Sequence, residues 1–116
     1  MGTRSTIAIA NTDGTVTGIY CHWDGYTSYV GRILQDYYTT EAKVRELIAL
    51  GDLSSLGANI GEQHDFSNAP YAATIAETVC TAYGRDRGAK NVDAKTCAHW
   101  SALVNDFGQE YDYLFV

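Results

Sequence analysis

The run STIAIANTDGTVTGIYC, Ser5 to Cys21, leaves little choice about how this chain begins. Ser5 to Ala10 alternates, with Ile7 and Ile9 on one face and small residues on the other, as a half-buried strand does. Asn11-Thr12-Asp13-Gly14-Thr15 follows, and its Asp-Gly pair supplies the positive-φ positions of a tight reversal. Val16 to Cys21 must then return antiparallel. Alternation places Val16, Gly18, Tyr20 and His22 on one side, and Thr17, Ile19, Cys21 and Trp23 on the other.

Asp24-Gly25-Tyr26-Thr27-Ser28 breaks the strand. Ser28 is the expected N-cap of a helix whose apolar residues, Val30, Ile33, Leu34 and Tyr37, recur at i, i+3, i+4 and i+7. Thr39 or Thr40 caps a second helix with Val44, Leu47 and Ile48 as its stripe and Gly51 as its stop. Residues 51–70 read as a long loop rich in Gly, Ser, Asn and Asp, ending at Pro70, with a one-turn helix tucking in Leu53 and Leu56. Thr78 to Tyr83 alternates and carries β-branched residues, so a third strand is expected there. Gly84 to Gly88 reads as a glycine-bracketed turn. A third helix spans about Asp93 to Phe107, with Trp100, Leu103, Val104 and Phe107 on one face and Gly108 as its stop. Glu110 to Val116 closes the chain as a strand. The expected fold is α+β: one domain over residues 1–116, an antiparallel sheet of about four strands in the order ββααβαβ, and helices packed on one face.

At 116 residues the chain can bury about two-thirds of its unfolded surface and needs no metal or disulfide to fold. A net charge of −6 argues against a duplex nucleic-acid platform, which needs a basic face to displace counterions. It leaves room for a small anion held by local arginines, or for a protein partner with a basic face. The three cysteines form no CxxC pair, no apolar run is long enough to cross a membrane, and the N-terminus carries no signal-peptide pattern, so the cytoplasm is the expected compartment. The nine tyrosines suit half-buried sheet surfaces and rims.

Two stretches carry candidate chemistry. CHWDGY displays His22, Trp23, Asp24 and Tyr26 where a strand gives way to a helix, and there His22 could serve as a general base oriented by Asp24. Its simpler reading makes Trp23 a core anchor, Asp24-Gly25 a turn and His22 a polar edge residue. YGRDRG places Arg85 and Arg87 in a turn that could present two guanidinium groups to one anion. Its simpler reading is a solvated turn in which Asp86 pairs with an arginine. Cys21, His22, His64, Cys97 and His99 lack the tight spacing of a zinc site. Neither a P-loop, a dinucleotide fingerprint nor a nucleophile elbow occurs, and no cofactor is expected.

Read in order, GTRSTIAI, IYCHWDGYTSYVGRIL, LIALGDLSSLG and AYGRDRG resemble a family of small proteins of bacteriophages, prophages and bacteria, from Gly2 to Gly88. The resemblance implies a setting in phage or mobile-element biology and supplies no activity. With it, the expectation is a binding protein without turnover that acts on host defence. It would sequester a small nucleotide-like anion or occupy a host defence protein. In the first case His22, Trp23, Tyr26, Tyr83, Arg85 and Arg87 form the site, provided that the two turns meet. The alternatives are a nucleotide- or phosphodiester-processing enzyme using His22 with Arg85 or Arg87, and a structural or interaction module that forms a homodimer through Tyr111 and Tyr113.

Overall fold

The computed structural model describes residues 3–68 and 72–116. The opening hairpin forms as its pattern dictates. Strands β1 (Ser5–Ala10) and β2 (Val16–Cys21) pair antiparallel from Ser5↔Cys21 to Ala10↔Val16. In the reversal, Asp13 Oδ1 accepts from the Thr15 amide at 3.0 Å, and Asn11 Nδ2 donates to the hydroxyls of Thr15 and Thr17 at 3.0 and 2.9 Å.

Helices α1 (Arg32–Tyr37) and α2 (Glu41–Ile48) follow. Thr40 caps α2, its hydroxyl accepting from the Lys43 amide at 3.3 Å. Ser28 does not cap α1. The chain enters that helix through a π-turn, Thr27–Gly31, in which the amides of Gly31 and Val30 reach back to the carbonyls of Tyr26 and Asp24. Those backbone acceptors satisfy the first turn, so the Ser28 hydroxyl stays in solvent. Strand β3 (Leu53–Ser55) comes next, then β4 (Thr81–Ala82), the one-turn helix α3 (Tyr83–Arg87), β5 (Lys95–Cys97), α4 (Trp100–Phe107) and β6 (Tyr111–Phe115). Ala69 and Pro70, at the end of the expected loop, and Gly2, at the start of the motif resemblance, lie outside the described residues.

The expectation of four antiparallel strands is corrected. The sheet has six strands and is mixed, in the order β4-β3-β2-β1-β6, with β5 on β2. β1 lies parallel to β6, and β2 parallel to β3. β5 and β3 share one edge of β2, β5 along Val16–Gly18 and β3 at Cys21. The missed strands, β3 and β5, are three residues long, too short to show alternation, and the strand expected over Thr78 to Tyr83 shrinks to Thr81–Ala82. Leu53 and Leu56 are buried as expected, but Leu53 sits in a strand, between Cys21 and Ala82, and not in a helical turn.

Helices also cover both faces, not one. Ile7, Ile9, Ile19, Cys21 and Leu53 pack with Val30, Ile33, Tyr38, Val44, Leu47 and Ile48 under α1 and α2. On the opposite face Ala8 and Val16 pack with Leu103 of α4, flanked by Trp100, Phe107 and Leu114. Gly18 makes that second layer possible, because a Cβ there would stand 2.6 Å from Leu103 Cδ2 and 3.0 Å from Ala8 Cβ. The helix expected over about Asp93 to Phe107 is accordingly shorter, and forms only as α4. Residues 95–97 leave it to extend the sheet, and only Trp100 onward reaches the face that Gly18 opens.

Candidate functional site

The C-terminal end of β2 builds one half of the candidate site. Cys21 points into the core, so alternation turns Tyr20 and His22 toward the other face, the one that carries α4. The contacts of α4 fall on Ala8, Val16 and Cys97, and Tyr20 and His22 stand beyond them, both half-buried. The Tyr20 phenol and His22 Nδ1 form a hydrogen bond. With the phenol as donor, Nδ1 is the acceptor and Nε2 carries the ring proton outward. The Trp23 indole stands edge-on to the imidazole, ring centres 4.7 Å apart. Trp23 is 43% exposed and is not a core anchor. Its amide and that of His22 donate to the Ser54 and Leu53 carbonyls at 3.0 Å, which fixes the backbone and leaves the ring outside. Asp24 does not orient His22. Its backbone has φ 57°, its carbonyl accepts from Val30, and its carboxylate points to solvent.

Gly25 explains the rest of that turn. Its amide donates to the Thr3 carbonyl at 2.8 Å, and its own carbonyl accepts the Tyr113 hydroxyl at 2.7 Å. A Cβ at Gly25 would lie 2.9 Å from both Thr3 O and Ser5 Cβ. The turn is thereby clamped between β1 and β6.

YGRDRG is a helical turn, α3, whose buried residue is Asp86. The Asp86 carboxylate accepts from the Ala82 amide at 2.8 Å, the His64 amide at 3.0 Å and Arg85 Nε at 3.0 Å. Burial, the largest single influence, would raise its pKa. The hydrogen bonds from Arg85, Ala82 and His64 together outweigh burial and hold it below the ordinary carboxylate value. Arg85 is spent on the fold: its two terminal nitrogens donate to the carbonyls of Ile60, Gly61 and Cys80 at 2.7–3.2 Å. The expectation that Arg85 receives an external anion is therefore corrected, since the loop carbonyls and Asp86 already use its donors. His64 is likewise satisfied, with Nδ1 on the Glu62 carbonyl and Nε2 on the Thr81 hydroxyl, both at 3.1 Å. Arg87 remains outside, its guanidinium 5.4 Å from the centre of the Phe66 ring, which packs on Tyr83 at 5.5 Å.

The two stretches face each other across β3. Tyr20 donates its amide to Asp52 Oδ1 at 3.0 Å, and Tyr83 donates its amide to the Asp52 carbonyl at 3.2 Å. Asp52, just before β3, thus links the end of β2 to Tyr83, the first residue of α3, across roughly 10 Å at the usual strand spacing. The Tyr20 phenol is raised above its ordinary pKa, mainly by burial; nearby Arg4 opposes the shift and nearby Tyr83 adds to it. Arg4 precedes β1 and shares the face of Thr6 by alternation. The result is a strip that runs from Trp23 and His22 through Tyr20 to Tyr83, Phe66 and Arg87. Tyr26 is not part of it; it packs on Tyr111 of β6, ring centres 6.3 Å apart. Sequence reading missed Arg4 and Phe66, for neither stands in a motif and only the pairing of strands brings them here. Among the described residues no three His, Cys, Asp or Glu side chains stand together as a metal site.

No family model, curated protein or solved structure matches the chain.

Proposed function

We propose that this chain is a binding protein without turnover, and that its ligand is a nucleotide-like anion laid along the Trp23–Arg87 strip. The observation that supports this is Asp52, which accepts from the Tyr20 and Tyr83 amides and so links the His22–Trp23 pair to the Tyr83–Phe66 pair, with Arg87 over Phe66. Bases stack on exposed aromatic rings at about 1–3 kcal/mol each. Exposed Trp23, beside His22, and the half-buried Tyr83–Phe66 pair supply those rings. Arg87 takes the phosphate in place of Arg85, and Arg4 is a second cation at the Tyr20 end. The motif resemblance to phage and prophage proteins sets the proposal in host defence, with the ligand a host signal that is sequestered rather than converted.

Titration calorimetry against linear and cyclic nucleotides tests the reading. The expected result is saturable heat with at least one of them, weakened tenfold or more by Trp23→Ala and by Arg87→Ala. Absence of heat and of any thermal shift across the panel would overturn it and leave the acidic surface (net −6) as a face for a basic protein.

The Tyr20–His22 hydrogen bond favours a second reading, in which the imidazole moves a proton in phosphodiester cleavage. Product analysis by chromatography separates the two. Turnover abolished by His22→Ala with binding retained selects the enzyme, whereas an unchanged ligand selects the binder.

A further inference from the structure

Strand β6 ends the sheet, with β1 as its sole strand partner among the described residues. The Tyr111 amide donates inward to the Arg4 carbonyl at 3.3 Å. In a parallel ladder one residue's N–H and C=O point the same way, and successive residues point to opposite sides. Tyr111, Tyr113 and Phe115 thus bond to β1, and the amides and carbonyls of Asp112 and Leu114 face out along an open edge. Just beneath that edge lies a cavity of about 370 Å³, between the sheet and helices α1 and α2. Ile7, Tyr113 and Phe115 form its sheet wall, Leu34, Tyr38 and Val44 its helix wall. The phenols that line it are engaged elsewhere, Tyr38 donating to the Gly57 carbonyl and Tyr113 to the Gly25 carbonyl, both at 2.7 Å. It therefore offers apolar contact and few polar demands.

An open edge beside an apolar cavity is what strand addition uses: the backbone supplies hydrogen bonds, and alternate side chains fill the pocket. The charges decide the occupant. Glu110 and Asp112 are exposed and take part in no ion pair among the described residues. A second copy of this chain would bring the same acids together. We infer that β6 receives an extended segment of another protein, in which apolar residues alternate and Lys or Arg residues flank them, with one large apolar side chain seated between Leu34 and Phe115. The site is separate from the Trp23–Arg87 strip.

The test uses the whole chain and a short fluorescein-labelled peptide in which Val and Phe alternate with Thr, with lysine pairs at both ends. Anisotropy is expected to rise saturably. Asp112→Pro removes one outward donor without touching the bonds to β1, as edge strands allow, and should weaken binding at least tenfold. Asp112→Asn, which keeps the donor, should cost less than Asp112→Pro. Leu34→Lys, at the cavity wall, should also weaken binding tenfold, with circular dichroism showing both variants folded. An absence of binding by the unaltered chain would overturn the inference. So would binding that survives both Asp112→Pro and Leu34→Lys, equal binding of the same peptide with glutamate at its ends, or a dimer in sedimentation that Asp112→Pro dissociates.

Discussion

Arg85 and Asp86, consecutive in the sequence, form a two-point ion pair: Nε lies 3.0 Å from Oδ1 and Nη2 3.2 Å from Oδ2. The Asp86 side chain is fully buried and that of Arg85 is 17% exposed. An exposed pair in a solvated turn would contribute about 0–1 kcal/mol. This one instead ties loop 60–64 to β4 and α3, because Arg85 also holds the Ile60, Gly61 and Cys80 carbonyls, and Asp86 the His64 and Ala82 amides.

Removing one partner leaves the other charge buried and unpaired, so Arg85→Ala should destabilise the fold by about 3–5 kcal/mol. Urea unfolding followed by circular dichroism measures this. A change below about 1 kcal/mol would mean that the carbonyl cage carries no weight. Arg87→Ala, on the neighbouring exposed side chain, should leave stability within about 0.5 kcal/mol.

Asp86 also sets an acid limit. Its folded pKa is depressed, so its contribution is complete above the unfolded value of about 3.9 and is lost as pH falls through the lower folded one. Stability of the unaltered chain should thus fall more steeply below about pH 4 than that of Asp86→Asn, which has no carboxyl to protonate there. Thermal melts across that range would show it, and parallel slopes would contradict it.

The thiols should divide two and one. Cys21 and Cys80 are fully buried. Burial, the main cause in each, raises both pKa values, that of Cys21 to about 12. Thiolate is the reactive form, so a disulfide reagent at pH 8 should label Cys97 quickly in the native chain. The other two should react only as the chain unfolds. Rapid labelling of more than one thiol in the native state would refute the burial.

Periodicity and turn chemistry carry their meaning locally. The hairpin around Asn11–Thr15, a threonine cap at 39 or 40, the Val44-Leu47-Ile48 stripe, the Gly108 stop and the alternation of β6 are therefore legible in the amino-acid order alone. Each depends on neighbours within a few positions. The strands Leu53–Ser55 and Lys95–Cys97, and the short extent of Thr81–Ala82 within the expected Thr78–Tyr83 strand, depend on partners far along the chain. The pairings Cys21↔Leu53, Leu53↔Ala82 and Val16↔Cys97 exist only once the sheet assembles.

The same division runs through the motifs. CHWDGY and YGRDRG announce polar and aromatic side chains at element ends, and that much is determined by residue type. Which of them remain outside is decided by tertiary structure alone. Loop carbonyls capture Arg85, Tyr26 turns to Tyr111 of β6 while remaining exposed, and the backbone bonds to Leu53 and Ser54 leave Trp23 in solvent. A side chain's freedom depends on which unsatisfied groups fold up beside it, and a linear sequence does not state that neighbourhood.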